Sequence, residues 1–126
     1  MIFGIGTDIT TVARFVAMYE RNGERTLEKL LAPSERADCR ASIDSGRFLA
    51  KRFAAKEALG KAFGTGIREP LLLPEIAIAH DDMGKPHFLF SPAVSRLFAE
   101  RGLTAYLSLA DEGDTVLAFV ILEKND

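Results

Sequence analysis

An α+β fold is the architecture this chain predicts, and three observations carry the prediction. Helix start and stop signals crowd the first half, whereas two hairpin signals, Asp81-Asp82-Met83-Gly84 and Asp111-Glu112-Gly113-Asp114, fall in the second. No repeat, low-complexity tract or linker separates the halves, so helices early and antiparallel strands late belong to one domain over residues 1–126. The chain has 126 residues, 48% of them hydrophobic and 27% charged, which suits one core and argues against a disordered chain. Folding at this length buries about two-thirds of the unfolded surface, enough for a core but little for a deep, self-contained cleft.

The elements follow in order. Ile2–Ile9 reads as a buried strand carrying Gly4, Gly6 and, near its end, Asp8. Thr10 or Thr11 is placed to cap a helix running to about Arg21, with Asn22-Gly23 as its stop. A short helical turn over Thr26–Leu31 and a polar helix from Ser34 to about Arg40, after Pro33, come next. The strongest helical pattern spans Ser45–Phe63, with Ser45 as cap and Gly64 as stop. Projected at about 100° per residue, it is apolar on most sides: Phe48, Ala55, Leu59 and Ala62 on one, Leu49 and Phe53 on another. Arg52 and Lys56 mark its one clearly polar sector, and Glu57 and Lys61 lie between Ala50 and Ala54 in a mostly covered place. Glu75–His80 and Lys85–Phe90 form a hairpin; Ser91-Pro92 opens a helix to about Arg101, before Gly102; Ala105–Ala110 and Thr115–Glu123 form the second hairpin.

Composition removes several function classes. Cys39 is alone, so an intramolecular disulfide and a multi-cysteine zinc site are excluded, and a reducing, cytoplasmic setting is expected. The first residues lack a basic segment and their apolar run stops at Asp8, unlike a signal peptide. Val116–Leu122 is too short to span a bilayer, so no membrane role is expected. Net charge is −2 and no nucleic-acid-binding signature is present, so no nucleic-acid partner is expected. The charge is unevenly spread: Arg14–Lys61 holds eleven Lys and Arg against seven Asp and Glu, and Ala62–Asp126 holds five against ten. The basic half is either an ordinary solvated surface or a face for an acidic partner or phosphate-bearing ligand.

Few residues carry chemistry. Asp8 interrupts an apolar strand after two glycines, which mark close approach of a backbone or ligand. It reads as a cap for the next helix or as a metal-binding or acid–base carboxylate. Glu57 and Lys61 stand four apart and read as an ion pair; a covered Glu57 also fits a Mg²⁺ shared with Asp8, since magnesium takes carboxylates together with substrate phosphates. Gly64-Thr65-Gly66 is a helix stop whose glycines also admit a ligand near the backbone; it is not a phosphate-binding loop of the strand–helix kind. His80 and His87 flank the first hairpin turn as surface residues, and Cys39, without a neighbouring histidine, is no nucleophile.

Four segments now gain a common meaning. GIGTDIT (Gly4–Thr10), RFLAKRFAAKEALGKAFGTGI (Arg47–Ile67), GKPHF (Gly84–Phe88) and LSLADEGDTVLAFVILE (Leu107–Glu123) resemble, in order and spacing, the holo-[acyl-carrier-protein] synthases, the short bacterial class of phosphopantetheinyl transferase. The long central segment is the most specific. The resemblance implies a phosphopantetheinyl-transferase-like domain, an antiparallel sheet packed on a long helix. It also implies transfer of 4′-phosphopantetheine from coenzyme A to a serine of apo-acyl carrier protein, releasing adenosine 3′,5′-bisphosphate. Asp8 and Glu57 match the family's Mg²⁺ carboxylates and Lys61 its active-site lysine, near the pyrophosphate. Arg52, Lys61, Gly64, Lys85, Pro86 and Ser108 match positions of coenzyme A contact. In many members a histidine follows in a Ser-Ile-Ser/Thr-His pattern; here Ser108-Leu109-Ala110-Asp111 puts Asp111 there, and that residue's nucleotide contact does not carry over.

Phosphoryl transfer needs positioning and charge neutralisation more than covalent catalysis, and two carboxylates with a lysine supply both. Arg14, Met18, Arg21 and Arg25 share one side of a helix or its continuation, a pattern suited to docking an acidic carrier protein, as the family does there. A noncatalytic binding module is the competing reading; a covered Glu57 beside Lys61 argues against it. Family members form trimers with sites at subunit interfaces, so a homotrimer is expected, which also gives the helix that is apolar on most sides a second surface to cover.

Overall fold

One long helix organises the fold in the computed structural model, which describes residues 1–126. In chain order the elements are β1 (Ile2–Thr11), α1 (Val12–Asn22), α2 (Glu24–Leu30), α3 (Pro33–Ala41), α4 (Ser45–Phe63), β2 (Ile76–His80), β3 (Pro86–Phe90), α5 (Pro92–Arg101), β4 (Leu103–Glu112) and β5 (Thr115–Lys124). The α+β class is as expected. A three-stranded antiparallel sheet in the order β1-β5-β4 lies against α4, and β2-β3 form a separate hairpin. No helix is long and apolar enough to cross a membrane.

The core sits between α4 and the sheet. Leu49, Ala55, Ala58 and Leu59 of α4 meet Val116, Ala118, Val120 and Leu122 of β5, with Phe15 of α1 and Leu27 of α2 closing the sides. The period-2 alternation of β5 places these four residues inward and Leu117 and Phe119 outward. Small residues on α4 let the strand come close. A Cβ on Gly4 would lie 1.9 Å from the Ala62 carbonyl oxygen, and one on Gly6 1.9 Å from that of Ala58. The two glycines expected to mark close approach therefore mark contact with the helix backbone, and this contact presses β1, with Asp8, against α4.

Several sequence expectations are corrected. Strands β1 and β4 are longer than Ile2–Ile9 and Ala105–Ala110, because antiparallel pairing to β5 continues to Thr11 and Glu112. The second turn is correspondingly tight, at Gly113-Asp114. Helix α2 begins at Glu24, two residues early. Asp44, not Ser45, caps α4, its side chain accepting from the Arg47 amide at 3.1 Å. Gly64 stops the helix in the left-handed region, φ 100°, as expected. Neither Thr10, which is buried, nor Thr11, which makes no side-chain cap, caps α1; Asp114 does so from the far hairpin.

The largest correction concerns the polar sector of α4. Lys56 is fully buried and Arg52 nearly so, because Glu35 of α3 is buried beside them. Lys56 Nζ donates to Glu35 Oε1 at 2.7 Å and to the carbonyls of Leu30 and Leu73. Arg52 Nε lies 3.0 Å from Glu35 Oε2, and its guanidinium stacks on Phe48. Charges at helical spacing mark a solvated face only when no buried counter-charge waits for them, and here one does.

Candidate active site

β1 and α4 bring three of the predicted residues together. Asp8 lies on the face of β1 turned toward α4, the face of Gly4 and Gly6, and its side chain is 14% exposed. Lys61 Nζ donates to Asp8 Oδ1 at 3.1 Å and to the Thr7 carbonyl at 2.9 Å. The expected Glu57–Lys61 pair is therefore absent; the strand carboxylate takes the lysine. Lys61 itself is half-exposed rather than covered, while Glu57 is partly buried.

Glu57 makes none of the protein's ion pairs. Burial pushes its carboxyl above the usual range, the negative charge of Asp8 pushes it further, and Lys61 and Arg14 oppose. The two carboxylates thus feel one another, one of them without a protein counter-ion, and carboxylates are the donors a hard divalent cation takes. No third Asp, Glu, His or Cys joins them. Magnesium takes one or two carboxylates and completes its octahedron with water and phosphate oxygens. The residues present fit the expected group.

The residues expected to dock the carrier divide. Met18, Arg21 and Arg25 line one basic recess with Asn22, Thr26 and Lys29, between α1 and α2. Arg14 stands apart, its guanidinium 4.9 Å from the centre of the Phe53 ring, one turn before Glu57 on α4. Arg14 thus stands near Glu57, and its charge acts on that carboxyl.

The expected coenzyme A contacts are scattered over one chain. Arg52 lines a recess with Arg47, Phe48, Lys51 and His80. Gly64 is exposed at the end of α4. Lys85 is exposed and Pro86 half-buried at the β2–β3 turn, which Asp81 holds by accepting from the Met83 and Lys85 amides. Ser108 is exposed opposite Phe119, on the outer face of the sheet, whereas Asp8 faces inward. His80 and His87 are exposed. Cys39 is buried, and burial pushes its thiol up to about 11, far from a nucleophile's range.

Sequence reasoning missed the partners of Asp111. The carboxylate at this position is gripped by Arg47, at 2.6 Å, with Lys51 Nζ at 3.6 Å. A charge-pattern rule sees no such partner, because Arg47 is 64 residues away.

Comparison with known proteins gives this geometry its context. A sequence profile of the 4′-phosphopantetheinyl transferase superfamily matches residues 4–120. The chain is 54% identical over 123 residues to a holo-[acyl-carrier-protein] synthase of Dechloromonas aromatica, covering 98% of each. Its fold is similar to the crystal structure of the holo-[acyl-carrier-protein] synthase from Neisseria meningitidis, with TM-score 0.94 and 45% identity over 98% of this chain and 100% of that one. It is also similar to a Bacillus anthracis holo-(acyl-carrier-protein) synthase in complex with CoA (3′,5′-ADP), with TM-score 0.83 and 32% identity over 99% of each chain.

Proposed function

This chain belongs to the 4′-phosphopantetheinyl transferase superfamily, and from that premise we propose the reaction it performs: Mg²⁺-dependent transfer of 4′-phosphopantetheine from coenzyme A to a serine of apo-acyl carrier protein, with adenosine 3′,5′-bisphosphate released. The protein is an enzyme, a phosphopantetheinyl transferase of the holo-[acyl-carrier-protein] synthase kind. The observation that carries the site assignment is the Asp8–Glu57–Lys61 cluster, two coupled carboxylates and a half-exposed lysine where β1 meets α4.

In the reaction the serine oxygen bonds to the β-phosphorus of coenzyme A, the phosphopantetheine side of the pyrophosphate; the bridging bond from that phosphorus to oxygen breaks, adenosine 3′,5′-bisphosphate leaves with the bridging oxygen, and the serine gives up its proton. Asp8 and Glu57 would hold Mg²⁺, which neutralises charge on the pyrophosphate and the leaving group. Lys61, fixed by the Thr7 carbonyl and Asp8, presents a positive charge on the same side. Met18, Arg21 and Arg25 offer a basic recess for an acidic carrier, with Arg14 standing nearer Glu57, and charge complementarity of this kind speeds encounter. Arg52, Gly64, Lys85, Pro86 and Ser108 are the residues assigned to coenzyme A.

Those last residues do not converge within one chain, which supports a site completed by a second copy. The outer face of the sheet supports the same reading. Ile5, Ile9, Leu117, Phe119 and Tyr106 project from it in cross-strand register, between 37% and 67% exposed. An apolar sheet face of this kind needs a cover, and a closed homotrimer supplies one. A reducing, cytoplasmic setting fits the lone buried cysteine.

Intact-mass analysis tests the reaction. Apo-acyl carrier protein incubated with coenzyme A and Mg²⁺ gains one phosphopantetheine, and chelation stops the gain. Asp8→Ala and Glu57→Ala each abolish turnover while the far-ultraviolet circular dichroism stays unchanged. Normal rates in both variants refute the site assignment.

A further inference from the structure

The turn between β4 and β5 fastens two helices. Arg47, in the first turn of α4, donates through Nη1 to Asp111 Oδ2 at 2.6 Å and through Nη2 to the Gly113 carbonyl at 2.8 Å. Its Nε lies 3.2 Å from Asp44 Oδ2, on the residue that caps α4. Lys51 adds a second positive charge to Asp111. The turn is therefore anchored to the start of α4.

The same turn holds the start of α1. The Val12 amide donates to the Asp114 carbonyl at 2.8 Å, and the Ala13 amide to Asp114 Oδ1 at 3.1 Å. Amides of a first helical turn have no partner within the helix and must find one elsewhere. Thr11 gives none from its side chain, and no acidic residue stands in α1's own first turn. Asp114 thus provides both the missing acceptors and the negative charge that favours a helix N-terminus. Arg14 is the next residue along, and its guanidinium sits over Phe15 and Phe53, beside the turn of α4 that bears Glu57.

We infer that Asp114 is a positioning residue for the carrier protein: by capping α1 from a turn that Arg47 fixes to α4, it sets where Arg14 stands relative to Glu57. The inference rests on the carrier-docking reading above and adds a residue outside the docking surface. A looser first turn moves Arg14 before it moves anything in the coenzyme A set, because Arg14 lies within that turn and those residues do not. Asparagine retains a side-chain oxygen that accepts from the Ala13 amide and caps about as well as aspartate.

The test is steady-state kinetics of the full chain with apo-acyl carrier protein and coenzyme A, on Asp114→Ala, Asp114→Asn and, as a control, Arg14→Glu. Asp114→Ala raises KM for the carrier about fivefold, a size the loss of a helix cap permits, with KM for coenzyme A and kcat within about twofold. Asp114→Asn restores the carrier KM. Amide exchange at Val12–Phe15 quickens in Asp114→Ala and recovers in Asp114→Asn. An unchanged carrier KM in Asp114→Ala, with a raised one in Arg14→Glu, overturns the inference and leaves the docking reading standing. An unchanged carrier KM in Arg14→Glu overturns the docking reading and the inference with it. Equal losses for both substrates in Asp114→Ala, or no rescue by Asp114→Asn, reduce Asp114 to a structural residue and also overturn it.

Discussion

Replacing Glu35 by alanine should cost this protein a large part of its stability, although Glu35 touches none of Asp8, Glu57 and Lys61 and, of the residues assigned to coenzyme A, only Arg52. Its Oε1 accepts from the Ala32 amide at 2.9 Å and from Lys56 Nζ at 2.7 Å. Its Oε2 accepts from the Ile78 amide at 3.0 Å and faces Arg52 Nε at 3.0 Å. One carboxylate thereby joins α3, α4 and β2. Glu35 is 3% exposed and Lys56 0%, so water cannot take its place. Removing one partner of a buried pair costs about 3–5 kcal/mol, because the other charge is left without compensation. Unfolding entropy of about 2.1 cal/mol/K per residue gives roughly 0.26 kcal/mol/K for 126 residues. The melting temperature of Glu35→Ala should therefore fall by about 15 °C. Calorimetry checks this at fixed protein concentration, since the proposed homotrimer would make melting concentration-dependent. Lys56→Met should cost less, because Glu35 then keeps two amides and Arg52 whereas Lys56 in Glu35→Ala keeps only carbonyls. A loss below about 1 kcal/mol in Glu35→Ala, or the reverse order of the two variants, would refute the reasoning.

Three further outcomes follow from the same geometry. Burial, against the pull of Glu35, pushes the Lys56 ammonium down to about 8 from 10.5. Between those values the unfolded chain binds more protons, so the contribution of Lys56 to stability rises with pH; the urea stability of the natural chain relative to Lys56→Met should increase from about pH 7.5 to about pH 9.5, and a decrease refutes it. Gly6→Ala places a Cβ 1.9 Å from the Ala58 carbonyl oxygen and 2.6 Å from the Ala62 amide nitrogen, backbone atoms that cannot swing aside. It should cost about 3 kcal/mol and lower turnover, since Asp8 travels with β1; full activity at normal stability contradicts the close approach. Phe119→Asp puts a charge in the middle of the outer sheet face, and light scattering should show the proposed homotrimer reduced to single chains; an unchanged mass moves the interface elsewhere.

The fold was legible where local chemistry decides local structure. The bounds of α4 followed from its apolar pattern and Gly64, those of α5 from Ser91-Pro92 and Gly102, and the hairpins from their turn residues. What escaped was set by partners distant in sequence. Arg52 and Lys56 project as a solvated stripe on a lone helix; only Glu35, 21 residues from Lys56, turns them inward. Thr11 is the kind of residue that caps a helix, yet Asp114 takes the task from 101 residues beyond Ala13. Strand lengths escaped for a related reason, since β1 and β4 extend only as far as β5 offers a ladder.

The site was legible as a set of residues and illegible as an arrangement. Asp8, Glu57 and Lys61 each stood out by residue type and placement, but helical spacing paired Lys61 with Glu57. The close packing that Gly4 and Gly6 permit brings Asp8 to Lys61 instead, and so leaves Glu57 with no protein counter-ion. That exchange matters for the chemistry. In the proposed reaction the Lys61 charge stays beside Asp8, while Glu57 has no protein counter-ion and is open to a cation. The sheet then separates Asp8 from Ser108, one facing α4 and the other facing outward. Residues on opposite faces of one sheet point away from one another, so in the proposed reaction Ser108 meets coenzyme A more readily beside another copy's Asp8 than beside its own. The outer face that holds Ser108 is also the apolar face that a neighbouring copy in the proposed homotrimer would cover.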